Sequence, residues 1–405
     1  MAEILFEAGL MLAVLALAGT IARRLGQSVI PFYVISGMVM SPFVLGQFGY
    51  GPIAQYAIEL QPYITLLAEL GIVFLLFFLG LEFSLERLLE SSEEIGKAGT
   101  LDLLVNLPAG VVIGLVLGWS LLEAFVLGGI VYISSSAVIT KSLIDLGWIA
   151  NDEASPMLGT LVYEDLFIAF YLAVLSAVLL GGGELAEIVV DVAVAMAFLL
   201  ALVSAVYFGS DYFEEFLDVS SEEMFVLRAV AITVFVAGFA LAIGVSEAVA
   251  AFFIGMGFSS TKHLHDLEHR LIPLRDIFAA IFFFWIGLRT DPAVFPAVAG
   301  IILVLVLVTT PTKLFTGFFG GRFYGLNDRR NVRVGCGMVT RGEFSLIIAA
   351  IAADAVIGGT VLTEIIPAVA VGYVLVMSIL GTMLMQYSGI LERFVVEEST
   401  AAAAD

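Results

Sequence analysis

Two adjacent carboxylates, Glu164 and Asp165, lie in the middle of an apolar run. The stretch TLVYEDLFIAFY carries them, and no other charged residue occurs between Pro156 and Leu180. A charge at the centre of a lipid bilayer costs about 2.5–3.5 kcal/mol on insertion scales, so such a residue normally faces a cavity or a partner. The acid pair therefore indicates either an ion-handling site or one half of a buried ion pair.

One lysine, Lys313, has an equally apolar context. It lies in GIILVLVLVTTPTKLFTGFFGG. Pro311, two positions before the lysine, removes one helical hydrogen bond. An isolated lysine at that depth would lose its proton or find a carboxylate, so Glu164 and Asp165 are its candidate partners. A purely structural ion pair that joins two helices is the alternative interpretation.

A second polar patch in an apolar run, GMVTRGEFSLII, contains Arg341 and Glu343. The neighbouring Gly335, Gly337 and Gly342 make the patch typical of an interrupted membrane helix. The remaining base inside an apolar run, Arg228, lies near the end of its run and can extend its charge to the membrane surface.

A hydroxyl-rich patch, YISSSAVIT, interrupts another apolar run. Taken alone, its hydroxyls would be expected to bond back to helix carbonyls. Together with the Arg341 patch, they are predicted to be ligands within a second interrupted helix, namely Ser134, Ser135, Ser136 and Thr140.

The elements that position these residues must be membrane helices. The chain has 405 residues, of which 61% are hydrophobic and 14% charged, whereas soluble domains carry about 25% charged residues. Apolar runs of about 20 residues recur along its length, and lipid favours closed helices over open sheets. The sequence predicts an all-α polytopic membrane protein with thirteen spans, at about 4–22, 28–46, 64–83, 98–119, 121–145, 156–180, 185–209, 224–244, 247–260, 274–290, 294–320, 333–357 and 362–387.

The basic residues predict the orientation of these spans. With the amino terminus outside, thirteen of the 17 Lys and Arg residues fall in inside loops and only Arg289 falls outside. Positively charged loops stay cytoplasmic, so the carboxyl terminus is predicted to be inside the cell. The first run follows Glu3 and Glu7 and is read as a spanning helix rather than a signal peptide.

Six spans, one connector and six spans make thirteen, which predicts two inverted repeats. Repeat one covers about 1–180, the connector about 185–209 and repeat two about 224–387. The two interrupted spans are the penultimate members of their halves, and inverted-repeat transporters place interrupted helices at such corresponding positions. Residues 1–390 are thus predicted to form one transmembrane domain, followed by a short cytoplasmic tail, 391–405, with no room for a nucleotide-binding domain.

In order and spacing, these motifs resemble the membrane domain of the monovalent cation:proton antiporters, specifically the Kef-type branch. The resemblance covers nearly the whole chain and rests on GLEFSLERL, SSSAVITKSL, LVYEDL, AVAAFFIGM, FFFWIGLRTD, TTPTKLFTGFFGGR and TRGEFSLI.

The resemblance implies a homodimer in which a core of crossed, broken helices moves against a dimerisation domain. It also implies that Asp165 binds cation and proton in turn, while Glu164 occupies a position that varies within the family. A carboxylate that exchanges the two ions must be desolvated yet reachable by water, and competition at one site couples the two fluxes. Lys313, Arg341 and Glu343 are then expected to serve as coupling and structural charges.

K⁺ is the cation that the Kef-type resemblance favours, in exchange for H⁺ across the plasma membrane. A Na⁺/H⁺ antiporter and, from another class, a regulated cation channel remain alternatives, although no TVGYG-like filter is present. An intramembrane enzyme is disfavoured because the three histidines occur only in KHLHDLEHR, read as a cytoplasmic loop, where they could bind metal or sense pH. No cofactor is expected, and no metal beyond the transported cation.

Acidic loops dominate the surface charge, with 38 acids against 17 bases and a net charge of −21. This excess is typical of proteins adapted to high salt, with ordinary solvated loops as the alternative interpretation. It disfavours nucleic acid as a partner. Any soluble regulatory subunit is expected to be a separate chain. Cys336 is the only cysteine, so an internal disulfide is excluded.

Overall fold

The computed structural model describes residues 2–48, 56–82, 92–180, 221–243, 247–259 and 261–393, together with isolated positions between 193 and 219. The predicted connector helix, about 185–209, and the second half of the GLEFSLERL motif therefore lie largely outside the described residues.

The described ranges are helical and contain no strand. Fourteen α-helices occur in them: α1 Ala2–Arg24, α2 Val29–Met40, α3 Pro62–Glu82, α4 Ser92–Val116, α5 Leu121–Tyr132, α6 Ser136–Asp145, α7 Ala154–Leu180, α8 Glu222–Ala242, α9 Glu247–Ser259, α10 Leu264–Arg289, α11 Phe295–Phe323, α12 Asp328–Met338, α13 Glu343–Ala353 and α14 Ile366–Gln386.

Helix starts in the core follow local capping chemistry. Ser120 begins α5 with a capping box, in which its hydroxyl accepts from the Glu123 amide and Glu123 accepts from the Ser120 amide. Asn327 accepts from the Arg330 amide at 3.1 Å and begins α12. These caps define the residues at which α5 and α12, the first halves of the two interrupted spans, begin.

Ten stretches of the described helices are long and apolar enough to cross a membrane, and α5 and α9 are shorter apolar helices. One of the ten, Asp328–Ala353, comprises α12 and α13. Twelve of the thirteen predicted spans thus have a helical counterpart, and the seventh lies largely outside the described residues.

The loop prediction for the histidine segment was wrong. The span predicted at 274–290 begins ten residues earlier, because α10 starts at Leu264 and takes His265 and His269 into its first turns. Leu267 and Leu271, one helical turn apart, are fully buried there and continue the apolar face of the helix.

Both polar patches interrupt helices at the predicted positions. The first interruption, 133–135, separates α5 from α6, and the second, 339–342, separates α12 from α13. The two breaks cross each other closely: a Cβ added to Gly342 would lie 2.2 Å from the Ser135 hydroxyl. Only glycine fits at this contact.

The helices form two bundles. A core bundle contains α4–α7 and α11–α14, with α4 packed on α5 and α11, and α13 packed on α5 and α14. A scaffold bundle contains α1–α3 and α8–α10, in which α3 packs on α9 and α10, and α2 packs on α10. Contacts between the bundles are fewer, and include those of α7 with α9 and of α14 with α2.

Two backbone-to-backbone crossings tighten the scaffold bundle. A Cβ on Gly37 of α2 would lie 2.0 Å from the Phe284 carbonyl oxygen of α10, and one on Gly80 of α3 would lie 2.0 Å from the Phe252 carbonyl oxygen of α9. Gly255 and Gly287 make the reciprocal contacts. Small residues permit such close approach between membrane helices.

Candidate functional site

Lys313 is the centre of a buried charge cluster in the core bundle. Its Nζ lies 2.7 Å from Glu164 Oε1 and 2.7 Å from Asp102 Oδ2, and it donates to Ser134 Oγ at 3.0 Å. The three charged side chains are at most 2% exposed. Three helices, α4, α7 and α11, are therefore joined through one ammonium group.

Asp102, the third member of this cluster, was not predicted from the sequence. On α4, its Oδ1 accepts from Thr316 Oγ1 at 2.6 Å and from Asn106 Nδ2 at 2.9 Å. Asn106 in turn accepts from Thr312 at 2.7 Å, so α4 and α11 share one polar network. The available signal was the spacing of Asp102 and Asn106, which lie one helical turn apart in an otherwise apolar run.

Both carboxylate oxygens of Glu164 are engaged. Oε2 accepts from the Ser134 backbone amide at 2.6 Å, and Oε1 accepts from the Ser134 hydroxyl at 3.0 Å in addition to Lys313. The non-helical backbone of the α5–α6 break thus supplies a donor that a continuous helix would have used internally. Glu164 is fixed from two directions.

Asp165 follows Glu164 on α7 and is 4% exposed. Successive helical positions point about 100° apart, so the two acids project into different parts of the core. Both acids are therefore buried on α7, with Glu164 turned to Lys313.

Arg341 lies at the crossing of the two breaks and is fully buried. Its Nε donates to the Val131 carbonyl at 3.0 Å, and its Nη1 donates to the carbonyls of Met338, Val339 and Thr340 at 2.8–3.1 Å. These carbonyls end α5 and α12, where the helix dipole is negative. One guanidinium therefore satisfies the carboxyl ends of both half-helices.

Glu343 places a negative charge at the amino ends of the other two half-helices, α6 and α13. It is the first residue of α13, and its carboxylate accepts from Ser135 Oγ at 2.8 Å and from Ser136 Oγ at 2.9 Å, where α6 begins. A negative charge at helix amino termini is electrostatically favourable. Arg341 and Glu343 thus complement the dipoles of four half-helix ends.

Two other residues named from the sequence, the predicted ligand Thr140 and the intramembrane base Arg228, are not among the described contacts of Lys313, Arg341 or Glu343. Thr140 lies on α6, one helical turn beyond Ser136, where it lines a cavity between the bundles. Arg228 lies partly buried on α8 in the scaffold bundle. Within the described ranges, no group of three or more His, Cys, Asp or Glu residues could hold a metal ion.

Comparison with known proteins agrees with this architecture. The family model described as "Sodium/hydrogen exchanger, transmembrane" matches residues 10–387. The chain is 34% identical to the K⁺/H⁺ antiporter subunit KhtU of Bacillus subtilis, covering 96% of this chain and 94% of that protein. It is 28% identical to the ammonium/H⁺ antiporter subunit AmhT of Alkalihalophilus pseudofirmus, covering 95% and 93%.

Among solved structures, the sodium proton antiporter MjNhaP1 of Methanocaldococcus jannaschii at pH 8 has a similar fold. The TM-score is 0.70 at 14% identity, over 96% of this chain and 98% of that one. The resemblance drawn from the sequence motifs is confirmed. The chain belongs to the transmembrane sodium/hydrogen exchanger family of monovalent cation:proton antiporters.

Proposed function

We propose that this protein exchanges K⁺ for H⁺ by competition of the two ions at Asp165, with alternating access to the two faces of the membrane. The observation that carries the proposal is the buried acid pair on α7, held beside the crossing of two interrupted helices. A buried acid in such a setting marks an ion or proton pathway. The 34% identity to a K⁺/H⁺ antiporter subunit supports K⁺ as the cation.

The contacts of Glu164 divide the roles within the pair. Because Lys313 and Ser134 engage both of its oxygens, Glu164 acts in this proposal as a fixed charge. Asp165 is then the group that takes up and releases the ions. Lys313 sets the charge balance of the cluster, and Arg341, Glu343 and the hydroxyls of Ser134, Ser135, Ser136 and Thr140 stabilise the broken helices and offer oxygen ligands.

The bundle arrangement supports movement of the core against the scaffold. Contacts within each bundle are denser than those between them, and a cavity opens between the two bundles at one face. Rigid-body rocking of one bundle could therefore transfer Asp165 from one face to the other.

The helix pairings support thirteen spans in two inverted repeats. The pair α2–α10 is mirrored by α9–α3, α4–α5 by α11–α12, and α1–α2 by α8–α9. Residues also correspond: Gly37-Met38 matches Gly255-Met256, and Gly80-Leu81 matches Gly287-Leu288. The proposed units are therefore 1–180, a connector at 185–209, and 224–387, within one domain that ends near residue 390.

The remaining parts of the proposal concern the cellular setting. The bias of basic loops supports a plasma-membrane protein with its amino terminus outside and a cytoplasmic tail at 391–405. A homodimer and a separate cytoplasmic regulatory subunit fit the family resemblance and the word "subunit" in the names of two relatives. The acidic surface supports adaptation to high salt.

The test is exchange in vesicles with an imposed pH gradient. Addition of K⁺ should dissipate the gradient, and Na⁺ and NH₄⁺ added in separate runs identify the preferred cation. Dissipation that continues with the membrane voltage clamped at zero indicates coupled exchange. A cation current without proton counter-movement would instead identify a channel.

A further inference from the structure

A cavity of about 530 Å³ separates the two bundles at one face of the molecule. Its lining carries three basic side chains, Arg23, Lys141 and Arg275. Its walls are α2, α3 and α10 of the scaffold on one side, and α6 and α13 of the core on the other. The proposed orientation makes this the cytoplasmic face.

The cavity reaches the core at Glu343. The core residues that line it include Ser136, Thr140, Glu343 and Phe344, whereas neither acid of the α7 pair is among its described lining residues. Glu343 is 5% exposed, so its charge is desolvated but in contact with the cavity. A cation entering by this route meets Glu343 before it meets Asp165.

The oxygen atoms around Glu343 suit a monovalent cation. Its two carboxylate oxygens lie 2.8 and 2.9 Å from the hydroxyls of Ser135 and Ser136. Each hydroxyl has lone pairs as well as a proton, so it can rotate to face a cation while remaining beside the carboxylate. Together with Thr140, one turn further along α6, the cavity end offers a carboxylate and hydroxyls in place of hydration water.

The same three serines connect this position to the acid pair. Ser134 binds Glu164, whereas Ser135 and Ser136 bind Glu343. Consecutive Cα atoms are about 3.8 Å apart, so the two carboxylates are held by immediate neighbours in the chain. The break in the α5–α6 span thus links the cavity to the proposed exchange site.

We propose that Glu343 is a second cation-binding carboxylate, which receives the ion from this cavity and passes it along the Ser134–Ser136 break toward Asp165. The inference rests on the proposed exchange at Asp165 and adds a residue that acts at one face only. Because Glu343 faces one cavity, its removal should weaken cation use from that face and spare the other.

The main test is Glu343→Gln in reconstituted vesicles, with exchange started by adding cation to one face at a time. Glutamine can still accept from one serine and donate to the other, so the change removes charge while keeping the local contacts. The half-saturating cation concentration should rise about tenfold at the cavity face, as expected for loss of a charge-assisted contact. At the opposite face it should change less than twofold.

An Ala280→Cys variant identifies the cavity face. Ala280 lines the cavity, and a membrane-impermeant thiol reagent should label its cysteine from that face only. The native Cys336 is fully buried and gives a low background. Labelling therefore shows which face of the protein is turned outward in each vesicle preparation, independently of the transport assay.

Asp276→Asn is the matched control for general electrostatic attraction. Asp276 also lines the cavity, but its side chain is 60% exposed and pairs with Arg275. Its effect should disappear when choline chloride raises the ionic strength, because exposed charges are screened. The effect of Glu343→Gln should persist under the same conditions.

Equal weakening at both faces, or no weakening at either, would overturn the inference. If Glu343→Gln does not insert, Glu343→Asp and Ser136→Ala carry the same one-sided expectation. A binding measurement separates this inference from the proposed exchange: K⁺ or Na⁺, compared with choline, should stabilise the purified wild type against thermal unfolding, and Glu343→Gln should reduce the shift. An undiminished shift in Glu343→Gln overturns the inference even if wild-type exchange fails.

Discussion

At the scale of single residues, one positive charge is shared by two buried acids. Lys313 lies 2.7 Å from both Glu164 and Asp102, and all three side chains are shielded from water. Removing one member of such a cluster leaves an uncompensated charge, which costs about 3–5 kcal/mol in soluble proteins. Breaking this cluster should therefore destabilise the fold more than breaking a surface ion pair.

Lys313→Ala should lower thermal stability strongly, because it leaves two buried carboxylates without their counter-charge. Asp102→Asn should cost less, since Lys313 keeps Glu164 and the new amide can still bond to Thr316. Adding Glu164→Gln to Lys313→Ala should restore part of the stability, because it removes one of the two uncompensated carboxylates. Thermal unfolding of the purified variants measures this coupling.

Lys97→Ala is the control for that series, because Lys97 pairs with Glu93 on an exposed face, where an ion pair contributes little to stability. Strict additivity of Lys313→Ala and Glu164→Gln would contradict a direct interaction between the two residues.

The residue-level prediction from sequence was partial for a physical reason. The apolar residues around Glu164 and around Lys313 indicate that each charge needs a partner. This conclusion requires only the residues next to each charge in the sequence. That α4 passes beside α11, and so brings Asp102 to the same ammonium group, depends on helix packing. A single acid ten positions into α4 carried too little local signal to be singled out.

At the scale of helices, the two interruptions are held by charge placed against backbone ends. Arg341 donates to the carbonyl ends of α5 and α12, and Glu343 lies at the amino ends of α6 and α13. The glycine- and hydroxyl-rich patches made these breaks predictable, because such residues weaken a continuous helix. The early start of α10 was not predicted, since its first turns carry polar residues around a narrow apolar face.

Arg341→Ala should reduce folded yield and transport sharply, because it leaves buried carbonyls at two half-helix ends without a donor. Arg228→Ala should be tolerated better, since Arg228 is only partly buried and lies on α8 in the scaffold. Folded yield by size-exclusion chromatography, followed by exchange assays, compares the two variants. Equal tolerance would contradict the stabilising role assigned to Arg341.

Gly80→Ala should separate α3 from α9, because the added methyl group would lie 2.0 Å from the Phe252 carbonyl oxygen. We expect a lowered melting temperature and impaired exchange, since helix packing at this crossing depends on direct backbone contact. Gly238→Ala is the matched control on α8, where no atom lies within 4 Å of the added Cβ. A melting temperature as high for Gly80→Ala as for Gly238→Ala would contradict the close crossing.

At the scale of the whole molecule, two bundles with dense internal packing meet across fewer contacts, and the acid pair belongs to the core bundle alone. Its all-helical membrane character was predictable from hydropathy, because backbone polar groups in lipid must be hydrogen-bonded within the protein, as they are in helices. The division into bundles was not evident from hydropathy, since it depends on which apolar faces meet. Only the family resemblance predicted it.

Exchange by Asp165→Asn in reconstituted vesicles tests the central proposal most directly. Asparagine matches aspartate in size but carries neither a negative charge nor an exchangeable acidic proton, so competition between H⁺ and cation at this position becomes impossible. We expect a folded, membrane-inserted protein that fails to dissipate an imposed pH gradient when K⁺, Na⁺ or NH₄⁺ is added, beside an active wild type. Exchange at the wild-type rate by well-folded Asp165→Asn would contradict the assignment of Asp165 as the shared ion site.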